Sequence, residues 1–243
     1  MIRRTLQFPY PLAAALLLAV SGCSQGYESM TTQAPSFDNP THAQFVAAVR
    51  DGDDTLAREL LSNGANVNAT DSKGTPVLNW LIRQNDRAAV RLLLELGADP
   101  TQTDAAGRTA LHEAARARNP GWIDLLLKHG VAVDVPNSRN GQTALYDALL
   151  AREQDNVDRL LAAGAKLDVR DQSGITPLLQ AVMVNDIPTA RRFIEAGADP
   201  FVVDDNGGRV ASYLYDGDPA LLLAPVRKDH AWIRARLEQQ NVN

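Results

Sequence analysis

Two ladders of glycine run through this chain in phase. The first ends a D-x-x-G turn, or a near relative of it, at Gly74, Gly107, Gly141, Gly174 and Gly207, in steps of 33, 34, 33 and 33 residues. The second closes a leucine-rich segment at Gly64, Gly97, Gly130, Gly164 and Gly197, in steps of 33, 33, 34 and 33. A unit this short cannot bury its own apolar face, so each unit must cover the next and the chain is confined to a stacked array. The extra residue falls between Gly130 and Gly141, near Asn137, and therefore belongs to a loop.

Local chemistry gives each period the same content. Asp and Gly make a turn, with glycine free to take positive φ. Thr or Ser then caps a first helix, and Pro fits its first turn, where no donor is needed. Ala114 and Ala115 let the first helix approach the second, whose leucines (Leu125–Leu126, Leu160–Leu161) bury against the next unit. Gly-Ala ends the second helix as a C-cap. The text DAAGRTALHEAA (Asp104 to Ala115), DQSGITPLLQAV (Asp171 to Val182), LLLELGADP (Leu92 to Pro100), LLAAGAKLD (Leu160 to Asp168) and FIEAGADP (Phe193 to Pro200) resembles the ankyrin repeat over roughly residues 41–215. That resemblance implies an all-α solenoid of about five to six helix–turn–helix repeats with short β-hairpin-like turns.

Departures from the pattern carry expectations of their own. Pro76 stands in the Thr slot of the second repeat, and Asn79-Trp80-Leu81-Ile82 replaces its His-x-Ala-Ala segment. Asn119-Pro120-Gly121 interrupts the third repeat, so its second helix should start near Trp122. The sixth unit keeps the turn at Asp204 to Arg209 but loses the helix text. It reads as a capping repeat, with Ala220 to Leu237 supplying the last helices.

The first forty residues have a different character. Arg3 and Arg4 precede the apolar run Leu12 to Val20, which is too short to span a bilayer but fits the core of an export signal. Val20-Ser21-Gly22-Cys23 resembles the bacterial lipobox, which implies a leader over 1–22 and a lipid on Cys23. Two or more acyl chains give a stable anchor. Ser24 stands where Asp would signal inner-membrane retention, so the resemblance implies the periplasmic face of the outer membrane. Residues 23–40, polar and with Pro35 and Pro40, read as a flexible tether, leaving 41–243 to the repeats.

Composition bears on what the array can meet. Loss of Arg3 and Arg4 with a leader would take the formal charge from −5 to −7, a poor basis for binding nucleic acid. One cysteine excludes an intramolecular disulfide and any multi-cysteine metal site. His42, His112, His129 and His230 have no metal-ligand spacing, and His112 occupies the family's structural His slot. His129 suits a helix C-terminus, and the pairs Asp53-Asp54 and Asp204-Asp205 fall in turns. No nucleophile elbow, Walker loop or dinucleotide fingerprint is present, so the chain reads as a non-enzyme without cofactor or metal.

By resemblance, partners meet the turn tips and exposed positions of the first helices. Carried over repeat by repeat, these are Lys73, Arg83 and Gln84, then Arg108 and Arg116, then Arg139, Gln142, Leu150 and Ala151, and finally Ile175, Met183 and Val184. The arginines would steer an acidic protein partner while Ile175, Met183 and Val184 anchor it. Solvated arginines with an internally packed Met183–Val184 is the competing reading of the same residues. Function then points to a membrane-tethered binding module, such as an immunity protein masking a toxin or hydrolase. A scaffold for a periplasmic enzyme such as a catalase, and a structural envelope protein, are the alternatives.

Overall fold

The computed structural model describes residues 35–37, 39–214 and 222–238. Among the described residues twelve helices follow one another in successive twos: α1 (Pro40–Asp51) with α2 (Asp54–Ser62), α3 (Val77–Arg83) with α4 (Arg87–Glu95), and α5 (Ala110–Arg116) with α6 (Gly121–Lys128). Then come α7 (Ala144–Ala151) with α8 (Gln154–Ala162), α9 (Pro177–Met183) with α10 (Ile187–Glu195), and α11 (Val210–Tyr213) with α12 (Ala224–Glu238). The first helices α3, α5, α7, α9 and α11 pack in succession as one row, and their partners lie behind them. The architecture is the all-α repeat array that the glycine ladders require. The hairpin-like turns reduce to isolated antiparallel bridges, Thr70 with Pro76 and Val203 with Arg209.

Short helices of seven to nine residues are marginal alone, so their ends and buried faces have to hold them. Asp53, Asp86 and Asp186 cap the second helices by accepting from the N–H of Leu56, Ala89 and Thr189. The core is a continuous file of apolar side chains: Phe45, Leu81, Leu93, Leu111, Trp122, Leu126, Leu149, Leu160 and Phe193 are all inaccessible to solvent. Every tryptophan of the chain carries an arginine from the preceding repeat on its ring, Arg50 on Trp80 at 5.3 Å, Arg87 on Trp122 at 5.7 Å and Arg191 on Trp232 at 4.9 Å. In each stack a planar, charged guanidinium lies over the indole ring, a contact that is both dispersive and electrostatic.

The turns repeat one device. Asp71, Asp104, Asp171 and Asp204 each accept through Oδ1 from the N–H groups two and four residues on. Neighbouring turns then bond to one another, Ser138 N–H to the Gly107 carbonyl and Asp205 N–H to that of Ser173. Gly107 (φ +79°) could not be replaced, since a Cβ there would lie 2.5 Å from Asn137 Oδ1 and 2.8 Å from the Arg139 nitrogen. The extra residue does lie in the fourth turn, where Asn137 closes on Gln142 rather than on the residue four places along.

Several boundaries differ from the sequence reading. The array begins before residue 41: Ser36 accepts from Ser72 N–H at 2.9 Å, and Phe37 packs on the core. Cys23, the leader and most of the proposed tether lie outside the described residues. The second helix of the third repeat starts at Gly121, in agreement with the expected start near Trp122. The last helix spans Ala224–Glu238 and buries His230 and Ile233. Gly208 stands where the other turns carry Arg108, Gln142 or Ile175, because the Tyr213 ring fills the space that a side chain would take. The Tyr213 hydroxyl donates to Asp204, and that bond holds the Asp204 carboxyl below the ordinary range.

Candidate interaction surface

Stacking brings equivalent positions of successive repeats side by side, so the face of the first helices is best read in files. The file of the structural His slot runs Asn79, His112, Tyr146, Leu179 and Ser212. Asn79 donates to the Arg108 carbonyl, His112 Nε2 bonds the Gln142 carbonyl at 3.0 Å and Tyr146 donates to the Ile175 carbonyl at 2.6 Å. Three unlike side chains thus make the same bond, to the residue before the next repeat's cap. Thr109 N–H donates to His112 Nδ1, which leaves Nε2 to donate to the Gln142 carbonyl. His112 is wholly buried and structural, as its slot implies.

The next files carry the charges. Arg83 binds Glu113 with two bonds of 2.8 Å, Nε to Oε2 and Nη2 to Oε1, and its Nη2 also reaches Asp104 at 3.3 Å. Arg108 pairs with the same two carboxylates, with Asp104 at 2.8 Å and Glu113 at 3.3 Å. Arg116 donates to Asp147 at 3.0 Å. Glu113, Asp104 and Asp147 are buried, so these arginines bridge repeats two to four and compensate carboxylates that would otherwise be stranded. Burial pushes the Asp147 carboxyl above the ordinary aspartate range in spite of Arg116. At Asp104, burial is outweighed by bonds from the Arg108 backbone and guanidinium and from Ala106 N–H, and its carboxyl lies below that range.

Arg83, Arg108 and Arg116, expected to steer an acidic partner, are thus each paired with a carboxylate of the array itself. Pattern matching misses it because Glu113 and Asp147 occupy a place where the repeat accepts many residues. Gln142 is also engaged, donating to Asp171 Oδ2 at 2.9 Å, and Ile175 and Val184 are half-buried. Gln84 serves as the C-cap of α3. Lys73 and Arg139 remain exposed at the turn tips. Met183 is exposed by 43%, and Leu150, which holds the equivalent place in the preceding repeat, by 47%. The face therefore divides: repeats two to four present neutralised ion pairs, and repeats four and five an uncovered apolar pair.

Beyond the apolar file lies another that the sequence reading did not single out, Asn85, Arg118, Arg152 and Asn185. Asn85, Arg152 and Asn185 sit in the left-handed region at φ +56° to +58°. Asn tolerates that region, whereas a residue such as Arg loses about 1 kcal/mol there. Arg152 is held by a 2.7 Å bond from Nη2 to the Val184 carbonyl of the next repeat. Arg118 is exposed. Counting residues along the repeat register is the signal that would have found both.

Among the described residues, no group of three His, Cys, Asp or Glu is placed to hold a metal ion, and no helix is long and apolar enough to cross a membrane. A family model described as ankyrin repeats (3 copies) matches residues 13–104, 45–137, 96–171 and 121–204. No curated protein matches the chain.

Proposed function

The chain belongs to the ankyrin-repeat family, a fold that serves as a protein–protein interaction module, and on that premise we propose that it is a tethered binding protein of the bacterial cell envelope. In this reading lipid on Cys23 holds the array at the periplasmic face of the outer membrane, and the array does no chemistry of its own. One observation carries the binding part: Leu150 and Met183 lie uncovered in adjacent repeats, on a face whose other large apolar side chains are buried or half-buried. Uncovered apolar groups on a rigid row of helices form a preorganised surface, which loses little conformational entropy on association.

The finer role we favour is that of an immunity or inhibitor protein masking a toxin or hydrolase, a task that needs a rigid stoichiometric binder. It rests on the nature of the surface and on the lipobox resemblance of Val20 to Cys23. The test is purification of the tagged full chain from envelope fractions after in-cell cross-linking, beside Cys23→Ser and a Leu150→Asp, Met183→Asp double variant. The expected result is one stoichiometric partner, lost with the double variant, and release of Cys23→Ser into the soluble fraction. A partner retained by the double variant would refute the assigned face. Membrane retention of Cys23→Ser after a salt wash would refute the lipid anchor.

A further inference from the structure

We infer that Arg152 is a carboxylate-binding residue, and that the ledge it forms with Leu150 and Met183 takes an extended acidic segment of the partner, an apolar side chain seated beside an Asp or Glu. This deepens the proposed interaction face and rests on it.

Three observations meet at this ledge. The first is the exposed apolar pair, Leu150 and Met183, at equivalent places in consecutive repeats. Secondly, the cations divide into two sets. Arg83, Arg108 and Arg116 are committed to Glu113, Asp104 and Asp147. Arg118 and Arg152, two places beyond the apolar file, are exposed and make no ion pair among the described residues. A positive edge that the protein does not neutralise, lying along an apolar strip, is complementary to a segment that pairs carboxylate with hydrocarbon.

The third observation is conformational. Arg152 keeps φ at +58° where repeats two and five use Asn85 and Asn185, so folding alone would be served better by asparagine. The guanidinium has five N–H donors, and its one bond, from Nη2 to the Val184 carbonyl, lays it across the junction between repeats four and five. Among the described residues its remaining donors make no further bond. A fork fixed in place and left open suits a carboxylate, because little rotamer freedom remains to be lost when the anion arrives.

The test uses the full chain in mild detergent and a displayed library of random 12-residue peptides. Selected peptides should carry Asp or Glu within a few residues of Leu, Ile, Met or Phe. For a synthetic selected peptide, anisotropy should report at least tenfold weaker binding to Arg152→Asn at low salt, while its Tm stays unchanged or rises. Met183→Ala should weaken binding at every salt concentration, and Lys166→Glu, at an exposed lysine beyond the end of α8, should leave it in place. Peptides without acidic residues, or an Arg152→Asn chain that binds normally or melts lower, would overturn the carboxylate assignment. Peptides that bind through the Leu150–Met183 pair alone would leave the interaction face standing without it. No enrichment over a blank support would remove both.

Discussion

The guanidinium of Arg83 lies against the Glu113 carboxylate in a two-bonded fork, both contacts at 2.8 Å, joining the end of α3 to the middle of α5. Glu113 is nearly inaccessible, whereas about a quarter of the Arg83 side chain is open to water. The pair thus serves chiefly to let repeat three bury a carboxylate, and removing one partner should hurt more than removing both.

A double-mutant cycle checks this. Arg83→Ala should lower stability by about 1–3 kcal/mol, discounted for the exposed arginine. Because Arg108 shares the cluster, the double variant with Glu113→Ala should lose clearly less than the sum of the two singles. Additive losses in urea unfolding would show that the two side chains act independently.

Asp104 links the same cluster to pH. Its carboxyl lies below the ordinary aspartate value when folded, so it binds its proton less readily than in the unfolded chain. The resulting stability is fully present above the unfolded value, about pH 4, and is lost as pH falls through the lower folded value. Asp104→Asn keeps the turn acceptor, as Asn137 does when it takes the Arg139 N–H in the fourth turn. The variant should lose about 1 kcal/mol at neutral pH and show a shallower acid limb in a Tm–pH series. An acid limb identical to that of the parent chain would exclude the linkage.

Tyr146→Phe isolates the bond that the His-slot file makes between repeats. The hydroxyl's single proton is shared between the Ile175 and Val169 carbonyls, at 2.6 and 2.8 Å, and the substitution removes it from both. The expected loss is about 1–2 kcal/mol, with faster amide exchange confined to the turn around Asp171. Uniformly faster exchange along the chain would place the bond's contribution elsewhere.

Removal of α12 tests whether the last helix is a cap or an appendage. It packs on α10 through the Arg191–Asp229 pair and the Arg191–Trp232 stack, and it buries Ile233. A stop codon after Leu223 should uncover α10, whose inward side chains include Phe193 and Ile194, and lower Tm by several degrees. Should the melting curve not move, the helix contributes nothing to the array.

What the sequence by itself determined is everything carried by short-range chemistry. The glycine ladders, Asx turns and leucine runs act within a few residues of themselves, and they specified the repeat, its register and the inserted residue of the fourth turn. The function of the exposed face was not written at that range. Arg83 and Glu113 are 30 residues apart, Arg116 and Asp147 31, and Arg152 reaches a carbonyl 32 residues on. Each is one repeat period away, so whether a cation stands free or is neutralised depends on what the next repeat places beside it. Stacking made Arg83, Arg108 and Arg116 part of the scaffold and left Leu150, Met183 and Arg152 uncovered, because charge pairing and burial are settled by neighbours in space.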